Sequence, residues 1–465
     1  MNDLRQAGLA PTRAARPPGG GATQAAASLG FALVQLDVTV VNVALPRLGV
    51  DLSAGIAGLQ WIVDGYALVL AVTLLIGGFL GDRFGARRMY LLGLAVFALG
   101  SALCGAAPST VALVAARTIQ GIGAAIMLPC SLSLINHATQ HDPPLRLRAV
   151  GLWTACGSIG LAAGPLVGGL LLAAGSWRLI FLVNLPVCLV AALFGLRAPE
   201  TPREQEGQGF DPLGQVLAIL ALGGLTGAVI EMHPLGPGHP AVLGLLALAF
   251  VAGPLFVAVE RRSAAPLLPL GLFTSRVFST AVVYGAVANV TLYGMMFVLS
   301  LYLQRVRGFD GPVLGLAYLP LTATFVAVNL VNARMVRLFG SRACMVGGFL
   351  MDALGFALLL PLGPDSPYWM ALPAFVLIPA GMGTGIPAMI GAMLGSVERA
   401  RSGVAAAVTN AARQAGGAMG VAVFGTLAGP DLVGGLHAAA ATSVVLLVAT
   451  AGAVWAFLPR RAGVR

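Results

Sequence analysis

The sequence predicts an all-α polytopic membrane protein with fourteen transmembrane helices. Composition is the first observation: of 465 residues, 58% are hydrophobic and 9% are charged, whereas soluble domains carry about 25% charged residues. The 62 glycines and 29 prolines do not indicate disorder, because large apolar residues dominate and the mean hydropathy is +0.90. The second observation is a series of uncharged apolar windows, each close to the roughly 20 residues that cross a bilayer.

Charge clusters and Pro/Gly turns separate these windows into individual spans. The predicted spans are 24–45, 59–80, 88–107, 110–135, 148–173, 178–196, 213–231, 241–259, 277–303, 312–333, 343–363, 368–394, 402–428 and 436–458. Spans seven and eight form a short hairpin whose turn is crowded by Glu231, His233 and His239. If this pair did not insert, twelve spans would remain with the same orientation.

The arginines predict the orientation of the chain. All 27 basic residues are arginine, and with the N-terminus inside, the outer connections hold only Arg47, Arg178, Arg305 and Arg307. Positive residues concentrate on the cytoplasmic side, so both termini are predicted to be cytoplasmic. The net charge of +10 is therefore attributed to topology and not to nucleic-acid binding. The stretch 1–21 lacks the apolar region and cleavage site of a signal peptide and is predicted to be a tail.

A weak internal repeat divides the chain into two halves. GFLGDRFGAR, at 78–87, aligns with ARMVRLFGSR, at 333–342, and Gly160 and Gly164 align with Gly416 and Gly420 at nearly the same offset. Two parallel six-helix bundles with an inserted hairpin explain this pattern. The predicted division is a cytoplasmic tail at 1–23, an N-terminal bundle at 24–197, a linker with the hairpin at 198–275, a C-terminal bundle at 276–458 and a tail at 459–465.

Ionisable residues inside the spans are candidate functional residues, because charge in the bilayer is costly. Asp37 and Arg117 both lie roughly 10–14 Å below the outer ends of their spans at a helical rise of 1.5 Å per residue. They could meet across one cavity. A structural ion pair is one interpretation; the one we favour is a titratable carboxylate beside a movable arginine.

The remaining candidates have simpler explanations. Asp64 is near the outer surface and could be hydrated, while Tyr66 could contribute to an aromatic wall for a cation. Trp61 is expected to anchor at the interface. Asp352 and Arg413 match in depth, and for them we expect a structural pair or no contact.

Span five carries closely spaced small residues. Gly160, Gly164 and Gly168 share one helical face, which lets another helix approach closely, and Pro165 removes a backbone hydrogen bond and permits a bend. In the loop after span two, Asp82 lies among arginines and could cap another helix in one conformation only.

Several classes of protein are excluded by missing motifs. The five cysteines all fall in apolar runs, which argues against disulfides or a metal site. No phosphate-binding loop is present, which excludes an ATP-driven transporter, and no hydrolase or metalloprotease signature supports an enzyme. A channel or a receptor without coupled transport remains an alternative, although no filter segment is visible.

Six segments resemble motifs of the major facilitator superfamily, and in particular its fourteen-helix drug:proton antiporter branch. They cover the region from about residue 30 to 430 and read GGFLGDRFGARR, VAARTIQGIGAAIMLP, GSIGLAAGPLVGG, LDVTVVNVALPRL, LQWIVDGYAL and NAARQAGGAMGVAVFGT. Two positions depart from the pattern. Ala86 replaces a usually basic residue, and the second copy of the loop has Arg337 where the first has Asp82.

The resemblance implies a rocker-switch export cycle driven by the proton gradient. It assigns proton coupling and the substrate cavity to Asp37, Arg117, Gln120, Asn42, Asp64 and Tyr66. It assigns the antiporter hinge to Gly160, Gly164, Pro165, Gly168 and Gly169. It assigns the cytoplasmic gate to Gly78, Asp82, Arg83, Gly85 and Arg87.

The function we predict is proton-coupled export of amphipathic, cationic compounds across the cytoplasmic (inner) membrane. The chain is not expected to be an enzyme. Its expected partners are a small-molecule substrate, protons and the lipid bilayer, with no cofactor, metal or nucleic acid, and it is expected to work as a monomer. The main rival is a dedicated exporter of one endogenous metabolite or antibiotic, neutral or anionic, because Asp37 has few acidic companions.

Overall fold

The structure is a computed structural model, and it describes residues 20–140, 142–201, 211–263, 266, 268–398, 402–429 and 431–459. Within these ranges the regular structure is helical. Most of the predicted N-terminal tail and all but one residue of the C-terminal tail lie outside the described residues. The first helix begins at Gly20, inside the predicted tail.

The N-terminal half contains the first six predicted spans. Its helices are α1 (Gly20–Asp51), α2 (Ile56–Phe84), α3 (Ala86–Ala106), α4 (Thr110–Ala138), α5 (Pro143–Ala173), α6 (Leu179–Leu182) and α7 (Asn184–Gly195). The sixth predicted span is interrupted at Val183 and is therefore divided between α6 and α7.

The predicted hairpin consists of two helices, α8 (Pro212–Leu235) and α9 (Pro240–Glu260), each long and apolar enough to cross a membrane. Helix α8 packs against α2 of the N-terminal half, where Gln215 donates a hydrogen bond to the Val72 carbonyl oxygen at 2.5 Å. Trp61 Nε1 donates to Glu231 Oε1 at 2.8 Å, so Trp61 joins α2 to the hairpin and is more than the interfacial anchor we expected.

The C-terminal half contains the other six spans. Its helices are α10 (Arg276–Leu301), α11 (Gly311–Ala317), α12 (Leu319–Ala357), α13 (Leu372–Gly395), α14 (Ser402–Ala428) and α15 (Leu432–Phe457). A π-helical turn at Tyr302–Val306 extends α10, and short 3-10 helices precede α10 and α13 at Leu270–Thr274 and Tyr368–Met370. The tenth predicted span is divided between α11 and the first part of α12, and α12 continues through a kink at Gly340 into the eleventh predicted span.

The two halves repeat the same packing, as the sequence repeat predicted. Gly160 of α5 packs on the Ala32 carbonyl of α1, and Gly416 of α14 packs on the Ala286 carbonyl of α10. The loop repeat is equally clear in the backbone: Gly85 has φ 96° and Gly340 has φ 81°. L-residues with a side chain rarely adopt this region, so both turns favour glycine. We call the end of the bundle that holds these two turns the arginine-rich end.

Among the described residues, polar contacts between the halves lie near mid-height and toward the opposite end of the bundle. Gln60 at the start of α2 donates to the Ala422 carbonyl of α14 at 2.7 Å, and Gln304 donates to the Val43 carbonyl at 3.1 Å. Nearer the middle, Thr322 donates to the Ala162 carbonyl at 2.7 Å. The two halves are therefore joined at the end away from the arginine-rich turns.

Candidate functional site

A buried ion pair lies inside the N-terminal half. Arg117 of α4 approaches Asp37 of α1 with 2.5 Å between Nη1 and Oδ2, and the two residues are 1% and 0% exposed. Asp37 and Arg117, which the sequence places at similar depths in their spans, are therefore in direct contact. Removing one member of such a pair leaves an uncompensated buried charge, which makes the pair highly sensitive to substitution.

The second carboxylate oxygen of Asp37 accepts two hydrogen bonds from neutral amides. Gln120 Nε2 donates at 2.8 Å and Asn184 Nδ2 at 2.9 Å. Both amides also donate to the Ser101 hydroxyl, at 2.8 and 3.1 Å. Sequence reasoning found Gln120 but missed Ser101 and Asn184; the signal for Asn184 was a lone amide within an apolar span.

Arg117 is held by further groups on α2. Its Nε donates to the Ile62 carbonyl at 3.2 Å, and its guanidinium carbon lies 4.2 Å from the centre of the Tyr66 ring. Such stacking is an attractive cation–π contact. The face of Tyr66 that we expected to meet a bound cation is therefore occupied by the protein's own Arg117.

Asp64 lies in the protein interior, neither hydrated, as its position near the outer surface had allowed, nor in the wall of the pocket described below. It is fully buried, and neither carboxylate oxygen has a hydrogen-bond partner among the residues that the structure describes. It follows Gln60 by one helical turn on α2, so it shares the face that meets α14. The sequence misled because depth along a helix does not fix the direction of a side chain.

A pocket lies between the two halves. Its lining is largely apolar and is formed by Val38, Asn42, Val63, Ala67, Leu70, Tyr293, Gln414, Gly417 and Val421. Asn42 was predicted for the cavity, whereas Tyr293 and Gln414 were missed. Because Val38 and Asn42 belong to the same helix as Asp37, α1 connects the buried ion pair to the pocket.

The predicted hinge glycines form a seam between α5 and α1. A Cβ added at Gly164 would overlap the Thr39 hydroxyl, and one added at Gly160 would overlap the Ala32 carbonyl. The Thr39 hydroxyl also donates to the Leu161 carbonyl at 2.9 Å. Gly168 continues the seam along Val40. The close approach that the glycine spacing predicted is therefore present.

The last two hinge residues face the other half of the molecule. A Cβ at Gly169 would overlap the Gly311 carbonyl oxygen of α11, and the Pro165 carbonyl would lie 2.9 Å from a Cβ at Gly315. Helix α5 is thus packed against α1 on one side and against the C-terminal half on the other.

The predicted gate residues surround the turn at Gly85. Gly78 lies near Pro129, Asp82 is half-buried, and Arg83 is exposed beside the rings of Phe79 and Phe84.

Arg87 pairs with Glu200, a residue that sequence reasoning missed. The Glu200 carboxylate lies 3.5 Å from Arg87 Nε and 3.7 Å from Arg88 Nε. Glu200 Oε1 accepts from the backbone N–H of Arg87 at 3.0 Å, and the Thr201 hydroxyl accepts from that of Ala86 at 2.8 Å. The start of α3 is therefore capped by side chains that follow α7. No sequence signal pointed to Glu200, since it lies more than 110 positions away.

We expect Glu200→Ala to destabilise the arginine-rich end by about 1 kcal/mol, the usual value for loss of a helix cap. Glu200→Gln should cost less, because the amide oxygen can still accept the backbone hydrogen bond. Thermal unfolding of the purified variants tests this order. Equal losses for both variants would show that charge, and not capping, dominates the contact.

Asp352 and Arg413 do not contact each other. Of the two outcomes expected from the sequence, a structural pair or no contact, the second is correct. Arg413 Nε lies 3.4 Å from Asn289 Oδ1 on α10, whereas Asp352 is buried where α12 meets Gly381 of α13. Within the described ranges, no group of three or more His, Cys, Asp or Glu side chains could hold a metal ion.

Comparison with known proteins gives a consistent result. The family model described as Major Facilitator Superfamily matches residues 27–421. The chain is 37% identical over 401 residues to the methylenomycin A resistance protein of Bacillus subtilis, covering 86% of each chain. It is 35% identical over 405 residues to the multidrug resistance protein Stp of Mycobacterium tuberculosis, covering 87% of this chain and 75% of that one.

Solved structures agree on the fold. A D-xylose-proton symporter superposes with a TM-score of 0.69 at 16% identity, covering 95% of this chain and 98% of that one.

Proposed function

Since the chain belongs to the major facilitator superfamily and is a multi-pass membrane transporter, we propose a specific transport activity. It exports amphipathic organic compounds in exchange for protons. The relatives named for resistance to drugs or an antibiotic support export. We place the chain in the cytoplasmic membrane as a monomer, with both termini and the arginine-rich end in the cytoplasm, following the distribution of arginines.

One observation carries the proposal: α1 holds both a closed carboxylate network and part of the wall of the pocket. Asp37 is satisfied by Arg117, Gln120 and Asn184, while Asn42, five residues further along α1, lines the pocket. A change of charge at Asp37 therefore reaches the substrate site through one rigid helix.

Proton uptake at Asp37 would remove the charge that holds Arg117. Its neutral acid form would keep hydrogen bonds with the amides but lose the ionic attraction, which frees Arg117 to rest on the Ile62 carbonyl and the Tyr66 ring. Helix α1 could then shift along the glycine seam of α5. Because packed interfaces switch between discrete arrangements, a small local change can alternate access to the pocket.

The contacts between the halves support a conformation open toward the cytoplasm. Gln60 and Gln304 join the halves at the end opposite the arginine-rich turns, which our orientation places outside. Opening toward the exterior then requires these hydrogen bonds to break. We assign the gate role to the turn at Gly85 and its arginines.

Efflux assays test the proposal. Cells or proteoliposomes carrying the protein should expel members of a panel of cationic, neutral and anionic amphiphiles only when a proton gradient is present. Saturable, gradient-dependent efflux supports the proposal. Flux that neither saturates nor depends on the gradient would favour a channel, and binding without flux a receptor. The panel tests the cationic selectivity expected from the sequence, and it also tests the rival of one dedicated substrate.

A further inference from the structure

The pocket between the halves has no carboxylate in its wall, and the side chain of Arg413 lies near one of its wall residues, Tyr293. Its polar wall residues are Asn42, Tyr293 and Gln414, and its other wall residues are apolar or glycine. Asp37 is closed off by its own network, and Asp64 is fully buried without lining the pocket. Arg413 is not a wall residue either, but its hydrogen bond to Asn289 brings it within about one helical turn of the wall residue Tyr293, and it is therefore the charge we consider for this site.

Arg413 extends along α10 toward this pocket. Its stem lies against Gly285, where an added Cβ would come within 2.8 Å of Cγ, and its Nε reaches Asn289 Oδ1 at 3.4 Å. Gly285, Asn289 and Tyr293 follow one another at single-turn spacing on α10, and Tyr293 lines the pocket. The Arg413 side chain therefore runs along α10 from Gly285 to Asn289, in the direction of Tyr293.

Most of the guanidinium fork is unused. In the part of the chain that the structure describes, Arg413 forms no salt bridge, and its only hydrogen bond there is the long one from Nε to Asn289. Such a cation within a membrane-spanning helix is costly unless it has a partner or a function. Both Nη groups remain available, and this fork geometry suits a carboxylate.

A second buried group in the pocket also lacks a partner. Asn42 is 3% exposed, its Oδ1 has no hydrogen bond among the described residues, and its Nδ2 donates to the Val38 carbonyl at 3.1 Å. The pocket thus offers a hydroxyl and amides beneath an apolar wall of valine, leucine and alanine, and Arg413 adjoins it through Asn289.

We propose that this pocket binds an amphipathic organic anion, whose carboxylate or similar acidic head pairs with Arg413 while its apolar body lies against α1 and α2. The inference rests on the proposed transport function and names its substrate class. The proposed substrate is negatively charged, whereas the sequence led us to expect a cationic one. The sequence alone did not show that Asp37 is enclosed by its hydrogen-bond partners or where the Arg413 side chain lies.

Binding of a matched set of probes to the full-length protein in nanodiscs tests the proposal. The probes are 2-naphthylacetate, its neutral amide and 2-naphthylethylamine, which share an aromatic body and differ in charge. The wild type should bind the carboxylate most tightly. Arg413→Gln should weaken carboxylate binding about 10- to 100-fold, the range for loss of a hydrogen bond to a charged group, and leave amide binding unchanged. Arg413→Lys should bind the carboxylate with an affinity between those of the wild type and of Arg413→Gln.

Two further variants keep the test decisive. Arg276→Gln removes an arginine at the start of α10, which stacks on Phe457 away from the pocket, and should not change the order of probe affinities. Gln414→Glu adds a negative charge to the pocket wall and should reverse the preference toward the amine. A wild type that prefers the amine, or an Arg413→Gln variant that weakens all three probes equally, would overturn the proposal.

The binding experiment can fail or succeed independently of the proposed transport function. Binding selectivity is measured without a gradient, so it can be lost while gradient-driven efflux of other compounds persists. Conversely, a wild type that selects the carboxylate in nanodiscs but exports nothing from energised vesicles would refute the transport function and leave the anion site intact.

Discussion

Replacing Asp37 by asparagine will abolish gradient-driven export and destabilise the protein. The substitution leaves Arg117, which is 1% exposed, without its buried counter-charge, and breaking such a pair from one side costs about 3–5 kcal/mol. Asparagine also cannot take up a proton at this position. Export is measured in proteoliposomes with an imposed pH gradient, and stability by thermal unfolding of the purified protein.

The double variant Asp37→Asn/Arg117→Gln separates coupling from structure. Removing both charges leaves no uncompensated ion, so the double variant should be more stable than either single variant. It should still fail to export against a gradient. If export returns together with stability, the pair is only a structural ion pair, which was the other interpretation of these two residues.

Substituting alanine for Gly164 will have the second large effect. The added methyl would overlap the Thr39 hydroxyl at the seam between α5 and α1, and overpacking of this kind typically costs about 1–3 kcal/mol. Thr39 would also lose its 2.9 Å hydrogen bond to the Leu161 carbonyl if α1 is pushed away. We expect a lower unfolding temperature and a large loss of export, measured on the same proteoliposomes.

Gly151→Ala is the matched control for this prediction. Gly151 lies on the same helix, and an added Cβ there would meet no atom within 4 Å. Alanine also favours helix over glycine by up to about 1 kcal/mol. The control should therefore retain stability and export. Loss of export in both variants would show that α5 responds to any glycine substitution, and normal export in Gly164→Ala would show that the tight seam is unnecessary.

The features predicted best were those encoded by position along a helix. The apolar windows located the helices, since hydrophobicity over about 20 residues is a strong local signal, and among the described residues eleven helices are long and apolar enough to cross a membrane. The depth match of Asp37 and Arg117 anticipated their contact, and the spacing of Gly160 and Gly164 anticipated a close helix approach. The aligned loops also proved similar in the backbone, where Gly85 and Gly340 both have positive φ.

The features that sequence reasoning missed depend on helix rotation and on contacts between distant segments. Asp64 points into the protein because α2 is rotated to place that face against α14. Asn184 and Glu200 reach their partners only when α7 packs on α1 and α3. Neither rotation nor packing partner is fixed by the length or composition of a span, so one sequence could not reveal them.

Proton movement driven by the substrate is the most direct test of coupled exchange. Coupling between two ligands is reciprocal, so a substrate gradient imposed on proteoliposomes at equal pH should drive protons in the opposite direction. A pH-sensitive dye inside the vesicles records this flux. The account predicts substrate-dependent proton flux in the wild type and none with Asp37→Asn. Substrate flux without proton flux in the wild type, or undiminished proton flux with Asp37→Asn, would contradict it.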